Sequence, residues 1–187
     1  MKRLRNSLGR IDGTPAYPDA EAYIGGEMAK EKIDKTNALR MLDQEDIRYE
    51  LNRYEAPDGF LDGVSVARAI GKEPDEVYKT LVLQGASRQY YVCVIPVADE
   101  LDLKKAARHF AEKRVDMIPA KEITPVTGYI KGGCSPVGMK KLFRTALAED
   151  AVLLERITVS AGRVGLQMTL AVNDLVRVTR ADFVDVT

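Results

Sequence analysis

The chain has 187 residues, 45% of them apolar, with 28 basic and 28 acidic side chains and a formal net charge of zero. One core of ordinary size is within reach, but tight binding of a polyanion through total charge is not expected. Two cysteines without a CxxC argue against a disulfide framework or a cysteine zinc site, and no run of about 18 apolar residues offers a membrane span.

In chain order, residues 1–32 carry weak periodicity and scattered Gly and Pro ("DGTPAYPDAEAYIGGE") and read as an N-terminal extension, partly disordered or docked on the body. The opening "MKRLRNSLGRIDGTP" is basic but lacks the apolar stretch of a secretory signal, so a cytoplasmic protein is expected. Compact periodicity begins near residue 33. "DKTNALRMLDQEDI" predicts a helix capped by Asp34 or Thr36, with Ala38, Leu39, Met41 and Leu42 inside. "RYELNRYE" alternates like a strand. "SVARAIG" predicts a short helix with Ser65 as N-cap and Gly71 at its end. Pro74 suits the first turn of "PDEVY", which delivers Lys79 to the strand "KTLVLQG". "QYYVCVIPV" then returns as a hairpin across "GASR".

In "LDLKKAARHFAEK", positions 103, 106, 107, 110 and 111 make a helical apolar stripe. "RVDMI", "GYIK", "VLLE", "ITVSA" and "VGLQMTL" read as short strands, and "VNDLVRVT" as a closing turn of helix. Strands broken by a few helices predict an α+β fold, a mixed β-sheet with barrel-like curvature and flanking helices, over residues 33–187.

Much catalytic apparatus is missing. The single histidine, His109, shares a helix face with Lys105, Arg108 and Glu112 and is expected to be solvated. A Ser-His-Asp or Cys-His arrangement is therefore hard to build, a zinc site lacks ligands, and no GxxxxGK[ST] or GxGxxG marks a nucleotide site. Cys134 invites a nucleophile reading, but a reactive thiol needs a depressed pKa and an orienting base, and no base is evident. Cys134 is expected to be a packing residue in a turn, and Cys93, between Val92 and Val94 in a strand, a packing or surface residue.

"GYIKGGCSPVGMKK", residues 128–141, concentrates four glycines, and the span 123–148 contains no Asp or Glu but holds Lys131, Lys140, Lys141 and Arg144. Glycines permit positive φ and close backbone approach, and successive exposed N–H groups in such a bend form an anion-binding nest. The competing reading is a tight turn followed by a solvated basic helix.

Taken together, "KTNALRMLDQEDIRYELNRYE", "EVYKTLVL", "IPVADELDLKKAA", "TGYIKGGCSPVGMKK" and "ITVSAGRVGLQM", in this order, closely resemble the YbaK family over about residues 33–187. That family comprises free-standing aminoacyl-tRNA deacylases related to the editing domain inserted in bacterial prolyl-tRNA synthetase. The resemblance implies a pocket for the aminoacylated 3′ end of tRNA and removal of cysteine from mischarged tRNA(Pro), and the missing motifs lead to the expectation of no cofactor and no metal. The attacking thiol would be the substrate's own. By motif match, Lys79 is the essential lysine and Gly132 the glycine whose backbone faces substrate. Tyr54, Phe60 and Ser160 match pocket residues, and Thr80, Gly133, Ser135 and Gln167 complete the substrate-binding set. Lys131, Lys140 and Lys141 are expected to contact tRNA. Two departures stand out: Gln167 replaces an Asp of the family member compared, and Cys134 falls where the family usually has an aliphatic residue.

An aminoacyl ester is already activated and needs orientation and oxyanion stabilisation more than a strong base. Two other readings stay open: a deacylase for another small amino acid, alanine or serine, and a non-catalytic tRNA-end or synthetase-binding module. With neutral net charge, full tRNA recognition is expected to draw on prolyl-tRNA synthetase; a homodimer is left open.

Overall fold

The computed structural model describes residues 34–56 and 61–187. The expected N-terminal extension and the pocket position Phe60 lie outside the described residues.

Helix α1 (Asn37–Gln44) is capped by Thr36, whose hydroxyl accepts from Leu39 N and donates to Ala161 O at 2.5 Å. Its buried face is Ala38, Leu39 and Leu42, with Met41 at the margin. Strand β1 (Tyr49–Arg53) follows. Helix α2 (Gly63–Ala69) is capped by Asp62 rather than Ser65. Asp62 accepts from the N–H groups of Val64 and Ser65, and the Ser65 hydroxyl donates to it, so Ser65 is a first-turn residue satisfied by the cap. Gly71 follows the helix at φ 69°. Pro74 opens a single 3-10 turn, Pro74–Glu76, which feeds strand β2 (Tyr78–Gly85).

Strand β3 (Tyr90–Pro96) pairs antiparallel with β2, as the hairpin pattern predicts. Helix α3 (Leu103–Phe110) buries Ala106, Ala107 and Phe110. Its stripe is shorter than expected: Leu103 is exposed and Ala111 is the left-handed C-cap. Strand β4 (Val115–Met117) pairs with β2.

The next stretch departs most from expectation. Helix α4 (Ala120–Thr127) precedes the glycine stretch, with Pro125 inside it and Gly128 as its left-handed C-cap. Pro125 and the lack of a clear apolar stripe conceal this helix in the sequence. "GYIK" is therefore the exit of a helix, not a strand. No basic helix follows the glycines either. Arg144–Ala148 is strand β5, inserted parallel to β3, where small alanines are buried between neighbours. "VLLE" is not a strand: its first half, Val152 and Leu153, ends a 3-10 segment, Glu149–Leu153. Strands β6 (Arg156–Arg163) and β7 (Leu166–Ala171) form a hairpin, helix α5 (Val172–Thr179) packs Val172, Leu175 and Val178 inward, and β8 (Asp182–Val184) pairs parallel with β5.

The fold is α+β, as expected, but among the described residues the strands form two open sheets, neither of them closed, so the barrel-like single sheet is not what forms. One is antiparallel, in the order β1-β7-β6; the other is mixed, in the order β4-β2-β3-β5-β8. A single parallel bridge, Val77 to Thr158, joins them at one edge. The main core is built from Leu39, Leu83, Ile95, Leu147, Ile157, Met168 and Leu170 with their neighbours, and a smaller cluster of Ala67, Val77 and Val97 lies under α2. Among the described residues no helix is long and apolar enough to cross a membrane.

Candidate active site

Strand alternation divides the three-stranded sheet into an apolar and a polar face. Ile157, Val159, Leu166, Met168 and Leu170 enter the core. The opposite face carries Asn52 of β1, Thr158 and Ser160 of β6, and Gln167 and Thr169 of β7. Register sets Asn52 opposite Gln167, and Gln167 opposite Ser160, in one row across the sheet. Thr158, Ser160, Gln167 and Thr169 are all buried despite their polarity. Burial of such groups is tolerated when they are hydrogen-bonded: Asn52 Nδ2 donates to Thr169 Oγ1 at 2.9 Å, the Thr158 and Thr169 hydroxyls meet at 2.7 Å, and Ser160 Oγ accepts from Gly162 N at 3.2 Å. Tyr54, half-buried just beyond β1, is tied to the same hairpin by its N–H to Gly165 O at 3.1 Å.

Lys79 joins this face through the bridge. Val77 and Thr158 are parallel partners, so Lys79 and Ser160, each two residues further on, keep to the same side. The half-buried Lys79 ammonium donates to two backbone carbonyls, Val97 O at 3.1 Å and Asp99 O at 2.5 Å. Among the described residues it has no carboxylate partner. A lysine ammonium has three N–H donors, so one remains for a ligand.

The glycine stretch is pressed against the same hairpin. Gly133 N bonds Ile130 O at 3.1 Å, closing a turn in which the exposed Gly132 takes φ 80°. A Cβ on Gly133 would lie 2.9 Å from Val164 N, so only glycine lets the loop approach the β6–β7 turn this closely. Tyr129 is buried; its hydroxyl donates to Val137 O at 2.7 Å, and its ring packs where a Cβ on Gly162 would be. The glycines thus dock the loop as well as expose backbone at Gly132.

Gly132, Gly133, Tyr54, Ser160 and Gln167 are therefore gathered around one hairpin, and Lys79 faces the same side. Other expected residues fall elsewhere. Thr80 lies on the opposite face of β2 from Lys79, its Oγ1 buried without a hydrogen bond. Ser135 is fully buried, its Oγ occupied by Val137 N within the turn. Lys131, Lys140 and Lys141 are exposed, but Lys140 Nζ bonds Pro125 O at 2.9 Å and Lys141 lies 5.3 Å from the centre of the Phe143 ring. Asn52, Thr158 and Thr169 join this face without any signal in the sequence. In a β-pattern they look like ordinary strand residues, and only their shared burial on a polar face distinguishes them.

The two thiols are poorly placed to act as nucleophiles. Burial pushes the Cys134 thiol up to about 11 and the Cys93 thiol to about 12, so both stay protonated near neutrality. His109 is not the solvated residue expected. Its ring packs edge-on against Phe110, 4.8 Å between centroids, and its buried Nε2 faces Asp182 Oδ2 at 3.5 Å, too far for a good hydrogen bond. Desolvation holds its pKa below the usual imidazole value. Among the described residues no group of three or more His, Cys, Asp or Glu could hold a metal ion.

The aminoacyl-tRNA editing domain model matches residues 62–178, and the chain belongs to that family, as the YbaK resemblance implies. It is 43% identical over 161 residues to the Enterococcus faecalis protein named "Putative Cys-tRNA(Pro)/Cys-tRNA(Cys) deacylase EbsC", covering 86% of this chain and 98% of that protein. Among solved structures it shares its fold with "a putative trans-editing enzyme for prolyl tRNA synthetase", at a TM-score of 0.69 and 23% identity over 80% of this chain and 92% of that one. The hypothetical protein APE2540 matches at a TM-score of 0.73 and 20% identity, covering 81% and 99%.

Proposed function

We propose that this chain deacylates mischarged aminoacyl-tRNA in trans, with Cys-tRNA(Pro) as its substrate. The observation that carries the reading is Lys79: a half-buried ammonium oriented by Val97 O and Asp99 O, with a donor to spare, on the side of the sheet that carries Ser160 and Gln167. That donor can stabilise a developing oxyanion or a terminal phosphate. Gly132, with its exposed backbone, supplies a second contact to the acyl end, and the Asn52–Gln167–Ser160 row with Tyr54 receives the aminoacyl group. Lys131, Lys140 and Lys141 serve the tRNA strand beyond it, and prolyl-tRNA synthetase supplies the remaining recognition of the tRNA body.

With both enzyme thiols protonated, the nucleophile is assigned to the substrate. The cysteinyl sulfur attacks its own ester carbonyl and forms a C–S bond. The C–O bond to the ribose breaks, the thiol proton ends on the ribose hydroxyl, and a strained four-membered thiolactone leaves for hydrolysis by water. A hydroxyl is a far poorer nucleophile than the few per cent of thiolate present near pH 7. Single-turnover deacylation of Cys-tRNA(Pro) and Ser-tRNA(Pro) tests this. Size alone would separate them by roughly ten- to a hundredfold; a larger preference for cysteine is expected, and comparable rates would point to an enzyme-held water instead.

A second reading, clearance of alanine or serine, is kept open by Gln167, whose neutral amide in the buried row stands where the family member compared has an Asp and so changes the pocket's contact with the substrate's α-ammonium group. The same assay extended to Ala-tRNA(Pro) separates the two.

A further inference from the structure

On the face of β2 opposite Lys79, a cavity of about 560 Å³ opens between the Pro74–Glu76 turn, the ends of β2 and β3, and the Glu149–Leu153 segment. This volume lies within the range of small-molecule sites, about 300–1,000 Å³. Four acidic residues line it, Glu73, Asp75, Asp99 and Asp150, and no basic residue does. A second observation is independent of this charge. Tyr78 also lines the cavity and is only 3% exposed, yet its hydroxyl makes no hydrogen bond to any described residue. The ring is buried while the hydroxyl is not among the sealed, unpaired polar atoms of the described residues, so it is reachable from the cavity and free to bond a ligand there.

The acidic residues do not converge on one point: among the described residues no trio of His, Cys, Asp or Glu could hold a metal ion. The negative charge is spread along the walls and interrupted by apolar surface from Pro96 and Leu154. A point cation would leave most of it unpaired. A chain bearing ammonium groups separated by methylenes matches both elements, placing charge on the carboxylates and carbon on the apolar strips.

We propose that this cavity is a binding site for a linear aliphatic polyamine, with Asp75, Asp99 and Asp150 receiving its ammonium groups and the Tyr78 hydroxyl accepting a hydrogen bond from one of them. Burial, with smaller contributions from Asp150, Asp75 and Asp99, pushes the Tyr78 phenol up to about 12, which keeps it protonated. Strand alternation sets Tyr78 and Lys79 on opposite faces of β2, so the cavity is distinct from the deacylase site but adjoins it at Asp99, whose backbone carbonyl accepts from Lys79 Nζ.

The test is titration of the full chain with spermidine, followed by isothermal calorimetry and by amide shifts in NMR, with MgCl2 at matched ionic strength as comparison. Saturable binding is expected, with shifts centred on Asp75, Ala98 and Asp150 that MgCl2 does not reproduce. Affinity should fall at least tenfold in Asp75→Asn/Asp150→Asn and several-fold in Tyr78→Phe, and stay unchanged in the remote control Asp116→Asn. Shifts scattered over every acidic surface, equal effects of MgCl2, or unaltered affinity in the folded Tyr78→Phe protein would overturn the proposal even if the double variant failed to fold. Displacement of spermidine by a lysine-rich peptide at lower concentration would reassign the cavity to a protein partner.

Discussion

Val77, at the threshold of β2, pairs in parallel with Thr158 of β6, and this one bridge sets Lys79 on the side of Ser160 and Gln167. Lys79 comes from a five-stranded sheet and its neighbours from a three-stranded one. Their common orientation follows from a single point of contact and the period-two alternation of each chain.

Lys79→Ala is expected to cut single-turnover deacylation by about two to three orders of magnitude, the scale of losing one oxyanion donor. The melting temperature should change little, because the ammonium leaves behind only two carbonyls near the surface. Lys79→Arg should not restore activity, since a planar fork cannot meet Val97 O and Asp99 O and still present a donor in the same direction. An active, folded Lys79→Ala protein would remove this residue from the chemistry.

Cys134→Val should retain most activity. The half-buried thiol is protonated near neutrality and only loosely placed against Thr127 Oγ1 at 4.0 Å. A change of similar volume costs less than about 1.5 kcal/mol. Loss of turnover in a folded Cys134→Val protein would restore the enzyme-nucleophile mechanism; urea unfolding beside the deacylation assay distinguishes the two.

The glycines should differ in stability according to what surrounds them. Gly138 has φ 72° and a Cβ there would lie 2.7 Å from the Asn37 carbonyl carbon, whereas Gly71, at φ 69°, has nothing within 4 Å of its Cβ position. Gly71→Ala should cost about 1–2 kcal/mol, the left-handed penalty alone. Gly138→Ala should cost roughly 1–3 kcal/mol more, because backbone of α1 must move. Gly133→Ala, with a Cβ 2.9 Å from Val164 N, should destabilise through the clash and also lower activity by shifting the Gly132 turn. Equal urea midpoints for Gly71→Ala and Gly138→Ala would contradict the loop's docking on α1.

His109 should make stability fall as pH falls below about 6.5, the unperturbed imidazole value. Its folded pKa is lowered by burial, with Arg144 acting in the same direction and Asp182 opposing. The unfolded chain therefore binds the proton first, and stability present above pH 6.5 is lost as pH drops toward the lowered folded value. His109→Gln should flatten that part of the urea-midpoint profile, above the range where carboxylates titrate. An identical profile in the variant would show that other groups govern it.

Much of the fold was legible where local pattern and tertiary role agree. The start of α1, the β2–β3 hairpin, the β6–β7 strands and the centre of the α3 stripe, Ala106, Ala107 and Phe110, follow from side-chain period and turn residues. The family was legible too, because its motifs lie in order along the chain.

Other features depended on contacts distant in sequence. "RTALA" has little intrinsic preference for a strand, and β5 forms because β3 and β8 flank it with paired backbone and leave room only for small side chains. α4 carries Pro125 and no clear stripe, so no local signal announces it. Asn52 and Thr169 stand 117 positions apart and share a hydrogen bond that only the β1–β7 register creates. Residue types and spacing determined which motifs the chain carries and the period of each strand. Register and the Val77–Thr158 bridge decided which of those side chains face one another, because a one-residue slip would turn every one of them to the other side of its sheet.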